Sequence, residues 1–217
     1  MGARRTEKME EVKTAIEKDG GQAVHRKTDV TVREEVIDLV KFAETTFGPV
    51  DIFVHNVGVF YYSLMKNLHL DEWDKLVDVN CKGFLNGIAA ILDSMVKRKR
   101  GHILIISSDS GKKSDPGCSV YTGSKFFVEG VVRGLRREVS THNVRVTSIQ
   151  PGEVDTEIFT YSKTDPEAEE LYGSFPPNFK ILEPIDVAKA VVYAVSQPDH
   201  VAVNELLIQP KDAPIIY

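Results

Sequence analysis

The chain has 217 residues, of which 42% are hydrophobic, and its formal net charge is −5. This length and apolar content suffice for one domain with a sizeable core. The acidic balance argues against a nucleic-acid partner, and no apolar run approaches the length of about 20 residues that spans a bilayer. Two cysteines, Cys81 and Cys118, cannot form a disulfide framework. We therefore expect a cytoplasmic protein with no nucleic-acid or membrane partner.

Hydrophobic periodicity divides the first half of the chain into helices and short strands. Gly20 and Gly21 are typical of a helix end, Thr31 is a plausible cap for the next helix, and Gly48-Pro49 predicts a turn. The predicted elements, in chain order, are helix Thr6–Lys18, strand Ala23–His25, helix Arg33–Phe47, strand Asp51–His55 and helix Trp73–Met95.

The second half continues this alternation, which predicts an α/β fold with a parallel sheet in a single domain, residues 1–217. The segment Glu157–Leu182 is polar and aromatic and contains prolines, as binding loops often do. Its Phe159, Tyr161, Tyr172 and Phe175 either line an apolar pocket or anchor the loop. The other predicted elements are strand His102–Ile106, helix Val120–Val139, strand Val144–Ile149, helix Pro184–Ser196 and strand Asn204–Ile208.

The stretch from His102 to Lys125 carries the residues with the clearest chemistry. Ser108 follows a strand typical of a buried parallel sheet, and ligands bind outside the carboxyl ends of such strands. Tyr121 and Lys125 are four residues apart on a predicted helix, so they share a face. A nearby Lys⁺ lowers the pKa of a phenol, which allows proton transfer to a substrate oxygen held by Ser108. Hydride transfer would then need a nicotinamide, although a Y-x-x-x-K pair alone also occurs by chance.

The sequence resembles the short-chain dehydrogenase/reductase family over essentially its whole length. The motifs that carry the resemblance, in family order, are His55-Asn56-Val57-Gly58, Asn80 in DVNCKG, Ser108 in ISSDSG, Tyr121 and Lys125 in YTGSK, and Pro151-Gly152-Glu153-Val154-Asp155-Thr156. Within the family it looks most like NADP-dependent 3-hydroxy acid dehydrogenases and their animal dehydrogenase/reductase relatives. His55 and Val57 depart from the more common Asn-Asn-Ala-Gly. The resemblance implies a doubly wound, Rossmann-like parallel sheet.

The resemblance also implies roles for individual residues. Asn80, Ser108, Tyr121 and Lys125 would form the catalytic tetrad, with Asn80 supporting a proton relay through water to Lys125. The substrate would be a small-molecule carbonyl compound or secondary alcohol, and a homodimer or homotetramer would be expected. No metal site is predicted. Cofactor contacts would come from Asp29, Val30, Asn56, Gly58, Tyr121, Lys125, Pro151, Gly152, Val154 and Thr156.

Two arginines near the start favour NADP over NAD as the cofactor. Arg4 and Arg5 stand where the family's second strand ends, with no acidic residue to bond a ribose 2′-hydroxyl. Guanidinium groups bind a phosphate bidentately, whereas a carboxylate would repel it. The alternative is a pair of solvated arginines at a helix start.

Family members begin with a strand, a glycine-rich turn and a helix that hold the cofactor pyrophosphate, and the sequence has no such turn. We therefore expect an N-terminally truncated domain that lacks its first βαβ unit, of about 30 residues. The sheet would be cut in its middle, so that the strand Ala23–His25 loses its neighbour and the strand Asp51–His55 becomes an apolar edge. Two functions remain open: an NADP-dependent oxidoreductase, or a non-catalytic fragment or pseudoenzyme subunit that acts through protein contacts.

Overall fold

The computed structural model describes residues 1–160, 162, 165–173 and 177–213. A π-helical segment, Val77–Gly83, joins the third and fourth α-helices. The strands are β1 (Gly2–Ala3), β2 (Arg26–Lys27), β3 (Ile52–His55), β4 (Gly101–Ile106), β5 (Val144–Pro151) and β6 (Glu205–Ile208). The α-helices are α1 (Thr6–Lys18), α2 (Arg33–Phe47), α3 (Leu70–Leu76), α4 (Phe84–Arg98), α5 (Ser119–Val139), α6 (Pro166–Tyr172) and α7 (Pro184–Val195).

The strands form two parallel sheets, one of β1 and β2 and one in the order β3-β4-β5-β6. Successive side chains of β4 point to opposite faces of the larger sheet. Ile103 and Ile105 pack into a core cluster with α2, α4 and α5, whereas Leu104 packs with α7. Because both faces are covered by helices, β4 is apolar along most of its length. The predicted α/β class with a parallel, Rossmann-like sheet is confirmed.

The sequence-based bounds of α1 and α2 are confirmed, and most strands and helices shift by one or two residues. The strand predicted at Ala23–His25 is wrong: the strand forms at Arg26–Lys27, where the backbone amides of Arg26 and Thr28 donate to the carbonyls of Met1 and Ala3. It therefore has a neighbour. Thr31 does not cap α2, because its hydroxyl donates to Asp29 Oδ1 at 2.7 Å and Val32 takes the cap position.

The single helix predicted at Trp73–Met95 begins earlier, ends later and changes its winding. It runs as α3, the π-helical segment and α4. Two of its glycines permit close packing against other elements, since a Cβ on Gly83 would lie 2.8 Å from Val30 Cγ2 and one on Gly87 would lie 2.4 Å from His55 Cδ2. Hydrophobic periodicity shows none of these contacts.

The segment predicted as one long loop, Glu157–Leu182, contains two helices. Residues Glu157–Thr160 form a 3-10 helix, and α6 follows the cap residue Asp165. The buried carboxylate of Asp165 accepts from the backbone amides of Leu64 and Glu167, at 2.8 and 3.2 Å. The bond from Leu64 fixes the segment to the chain that follows β3. Tyr161 and Phe175, two of the four predicted aromatic lining residues, lie outside the described residues.

Strand β3 is an edge of the larger sheet, bonded to β4 on one side. Ile52 and Val54 are 47% and 43% exposed there, as the sequence predicted for an apolar edge. No helix among the described residues is both long and apolar enough to cross a membrane.

Candidate active site

Ser108 stands where β4 leaves the larger sheet. The backbone amide of Ser107 still donates to Ile149 at 2.7 Å, and Ser108 is then fully extended. The Ser108 hydroxyl accepts from the backbone amide of Ser110 at 3.1 Å, which caps a short 3-10 helix. The turn directs the Ser108 side chain into the space beyond the carboxyl end of β4.

Tyr121 and Lys125 reach the same space from the first turns of α5. The helix follows Gly117, where a φ of +77° favours glycine and a Cβ would lie only 2.5 Å from the Tyr62 ring. The Tyr121 ring packs edge-to-face on Phe60 at 4.8 Å between ring centroids. Lys125 Nζ lies 5.6 Å from the Tyr121 ring centroid and 3.5 Å from the Ile106 carbonyl oxygen, to which it donates. The predicted group Ser108, Tyr121 and Lys125 is brought together.

The electrostatics of the tyrosine differ from the sequence-based expectation. Burial raises the pKa of Tyr121 above its ordinary value, and the hydrogen bond with Ser108 acts in the opposite direction. Burial also lowers the pKa of Lys125 to about 8, against the charge of Glu129. The net pKa shift of the phenol is therefore upward rather than the expected lowering by Lys125, because the ring is removed from water.

Asn80 lies in the π-helical segment, and its buried side chain braces the loop after β3. Its Oδ1 accepts from the backbone amide of Val59 at 2.8 Å, and its Nδ2 donates to the Val59 carbonyl and to Ser124 Oγ, each at 3.0 Å. A Cβ on Gly58 would lie 3.6 Å from Asn80 Oδ1 and 3.7 Å from Lys125 Nζ. Asn80 is therefore a close neighbour of Lys125, and it also holds the backbone beside Gly58.

A cavity of about 540 Å³ opens at the carboxyl ends of β3, β4 and β5. Such clefts are the usual ligand sites of open α/β sheets. The sequence-predicted residues that line it are Asn56, Gly58, Ser108, Tyr121, Lys125, Pro151, Gly152, Val154 and Thr156.

Four predicted cofactor residues lie away from the lining of this cavity. Arg5 donates to Glu157, which also pairs with Lys8. Arg4 is exposed and lowers the pKa of Asp29, less than the hydrogen bonds from Thr31 do.

Val30 is the fourth predicted cofactor residue that lies away from the cavity lining. Its carbonyl accepts from Asn86 Nδ2 at 2.9 Å. The structure thus places Arg4, Arg5, Asp29 and Val30 around β1, β2 and α2, and the tetrad residues at the larger sheet.

Phe60, Glu153 and Lys113 are three of the many cavity-lining residues that were not predicted as site residues. Phe60 follows the glycine loop after β3, and Glu153 stands inside the Pro151–Thr156 motif with no role assigned. Lys113 lies between Ser108 and Tyr121 in sequence. For Glu153 alone, the sequence offered a signal of a role in the site, namely a charged residue inside a family motif.

Similarity to known proteins extends along the whole chain. The family model described as short chain dehydrogenase matches residues 1–167. Glycine betaine reductase ATRR of Emericella nidulans is 47% identical over 99% of this chain, which spans only 17% of that protein. An uncharacterized oxidoreductase of Listeria monocytogenes is 38% identical over 99% of this chain and 86% of its own length.

The chain belongs to the short-chain dehydrogenase/reductase family. Solved structures of similar fold include the closed form of a serine dehydrogenase complexed with NADP⁺, with 29% identity, a TM-score of 0.84 and coverage of 100% of this chain and 88% of that one. An alcohol dehydrogenase from Thermococcus sibiricus, complexed with 5-hydroxy-NADP, has 25% identity, a TM-score of 0.85 and coverage of 100% and 87%. The protein is thus an oxidoreductase of this family.

The cavity fits the nicotinamide end of the dinucleotide that short-chain dehydrogenases use. The buried hydroxyl oxygen of Ser107, which lines it, has no hydrogen-bond partner among the described residues. Gly58 and Gly152 also line the cavity. Asn56, Ser107 and Lys125 would hold the ribose and the ring there.

Proposed function

We propose that the protein is an NADP-dependent oxidoreductase that interconverts a carbonyl and an alcohol. The observation that carries the proposal is the convergence of Ser108, Tyr121 and Lys125 on one cavity with a largely apolar lining. NADPH held at this site would supply the hydride for the carbonyl carbon. The rest of the chemistry is proton transfer and orientation, which these side chains can perform.

In the reductive direction, Tyr121 transfers its phenolic proton to the substrate oxygen as the carbonyl carbon becomes an alcohol carbon. The Ser108 hydroxyl donates a hydrogen bond to the same oxygen and so stabilises its developing negative charge. Lys125, beside the tyrosine ring, favours the phenolate that remains. Asn80 holds the backbone beside Lys125, and a water between them would return a proton to the site.

NADP is proposed over NAD for two reasons. Three solved structures of similar fold are complexes with NADP or a derivative. Arg4 and Arg5 also provide positive charge at the start of α1, where a 2′-phosphate would be bound bidentately. In this structure the Glu157 carboxylate accepts hydrogen bonds from Arg5 and Lys8. A bound phosphate would therefore compete with Glu157 for these two cationic side chains.

The name of the relative that is 47% identical suggests one substrate to test. That protein is a glycine betaine reductase. A site that exchanges a hydride with a carbonyl would act on the corresponding aldehyde, betaine aldehyde. This compound is therefore the first substrate for the assay, together with simple aldehydes.

Replacement of the tyrosine tests the proposed function. Tyr121→Phe removes the transferable proton but keeps the ring contact with Phe60, so we expect turnover with NADPH and an aldehyde to fall at least about a hundredfold. Tyr193→Phe, an exposed tyrosine of α7 outside the cavity lining, is the matched control. NADPH oxidation is followed by absorbance, with thermal unfolding as the check on folding. Turnover of Tyr121→Phe within a few-fold of the parent would contradict the assignment.

A further inference from the structure

The cavity lining includes more acidic than basic residues. Asp109, Asp115 and Glu153 line the cavity, against the ammonium groups of Lys113 and Lys125. Lys113 Nζ lies 3.3 Å from Asp109 Oδ2 and 3.3 Å from Asp115 Oδ2. Since Lys113 is engaged with these two carboxylates and Lys125 lies beside the tyrosine, Glu153 has no basic partner within salt-bridge distance among the described residues.

Glu153 is held in this position without a complete set of hydrogen bonds. Its Oε2 is buried and has no hydrogen-bond partner among the residues that the structure describes. Burial raises the pKa of Glu153, and the charges of Asp109 and Asp115 add to the effect, while a hydrogen bond from its own backbone amide and the charge of Lys113 oppose it. A buried carboxylate oxygen without a partner is costly, and a ligand that compensates its charge removes that cost.

Aromatic rings also line this cavity. Phe60 and Tyr121 pack edge-to-face, and the centroid of Phe159 lies 6.2 Å from that of Phe60, also edge-to-face. All three line the cavity. Aromatic faces bind quaternary ammonium groups, whose methyl groups need no hydrogen-bond acceptors.

We propose that Glu153 is a specificity-determining residue that selects carbonyl substrates carrying a quaternary ammonium group. The proposal rests on the proposed carbonyl reduction, since Tyr121 and Ser108 would hold the reacting oxygen while Glu153 and the aromatic rings hold the cation. The aromatic rings favour the quaternary form, because its methyl groups pack against their faces while its charge compensates that of Glu153.

Two aldehydes of matched shape test the selection. Betaine aldehyde carries a trimethylammonium group, and 3,3-dimethylbutanal has a tert-butyl group in its place, without the charge. We expect kcat/KM to favour betaine aldehyde by at least about tenfold. Glu153→Gln, which keeps the shape of the side chain, should reduce this ratio to near one. Asp155→Asn, at an exposed carboxylate of the same loop outside the lining, should keep the parent ratio.

A binding measurement separates this inference from the proposed function. Calorimetric titration of the protein with choline and with 3,3-dimethylbutan-1-ol, in the presence of NADP⁺, compares the charged and neutral alcohols without turnover. Preferential binding of choline that is lost in Glu153→Gln supports the inference even if neither aldehyde is reduced, an outcome that would refute only the proposed function. Equal turnover of the two aldehydes, or equal binding of the two alcohols, would overturn the role of Glu153.

Discussion

His55, the last residue of β3, packs its ring in the core beneath the site. The ring lies edge-on to Phe84 at 5.5 Å between centroids, and Nε2 lies 3.4 Å from the Gly83 carbonyl. Burial lowers the pKa of His55 to about 4. The imidazole therefore stays uncharged at neutral pH, which suits a packing role better than a role in proton transfer.

This lowered pKa predicts an acid sensitivity of folding. Between pH 6.5 and about 4 the unfolded chain binds a proton that folded His55 does not, so the stabilisation present above pH 6.5 is lost as the pH falls. Over this pH range, the contribution of His55 to the free energy of unfolding falls by on the order of 3 kcal/mol. Urea unfolding at several pH values should show a shallower acid loss in His55→Asn than in the parent, and an unaltered one in His200→Asn, an exposed histidine. Parallel curves for His55→Asn and the parent would refute the prediction.

The arginines before α1 give a second prediction for single residues. Arg4→Ala with Arg5→Ala should lower the ratio of kcat/KM for NADPH over NADH by at least about tenfold, because two charge-assisted contacts to a phosphate are lost. Glu157→Gln should move the ratio the other way, since it removes the carboxylate charge that pairs with Arg5 and Lys8. Lys18→Ala, at the far end of α1, is the control. An unchanged ratio in the double variant would contradict NADP selection by these arginines.

The π-helical segment Val77–Gly83 is the element on which the geometry near Lys125 depends. Such segments occur frequently at functional sites, because the extra residue per turn redirects a side chain. Here the redirected side chain is Asn80, which satisfies both backbone groups of Val59. The loop after β3 is thus fixed by a helix distant from it in sequence.

Removal of this brace should affect both folding and turnover. Asn80→Ala leaves the amide and carbonyl of Val59 without their partner, so we expect the free energy of unfolding to fall by about 2 kcal/mol. Turnover should fall further than the fraction of folded protein accounts for, since the Gly58 loop beside Lys125 is released. Asn86→Ala, which removes another buried amide of the same helical run, controls for the loss of stability. If Asn80→Ala lowered the free energy of unfolding but kept normal turnover, the role of Asn80 would be structural only, and its predicted effect on turnover would be wrong.

Much of the element pattern could be predicted from the sequence, because α1 and α2 have clear apolar periods and β4 is a short continuous apolar run. The π-helical segment could not, since its apolar spacing is close to that of an α-helix. Helix α6 was missed, although Asp165 followed by Pro166 is a typical helix start. Of the site, Ser108, Tyr121 and Lys125 were predictable from spacing. The unpaired oxygen of Glu153 depends on tertiary packing alone.

At the scale of the whole molecule, the exposed edge of the larger sheet is a liability. In the described part of the chain, strand β3 pairs on one side only and offers its other backbone edge beside exposed Ile52 and Val54. Such an edge is a template for pairing with another chain. The fold therefore predicts self-association of this chain through β3.

A charge on this edge should reduce that association. Ile52→Lys places an ammonium group on the first residue of β3, which opposes pairing with a second copy. Ile185→Lys changes an isoleucine of similar exposure on α7, away from any strand edge, and is the matched control. Sedimentation velocity should show fewer large species for Ile52→Lys than for Ile185→Lys. Equal distributions would show that association does not use the edge.

The division of the strands into two sheets also has a mechanical consequence. Among the described residues, no backbone ladder joins β1 and β2 to the larger sheet, so the two parts are connected through side-chain contacts. Ser94 of α4 donates to Glu44 of α2 at 3.0 Å, and Arg5 donates to Glu157. Relative motion between them is therefore resisted by helix packing. A dinucleotide that contacts both Arg5 and Lys125 would link the two sheets and restrict their relative motion. The loss of conformational entropy would reduce its net binding free energy.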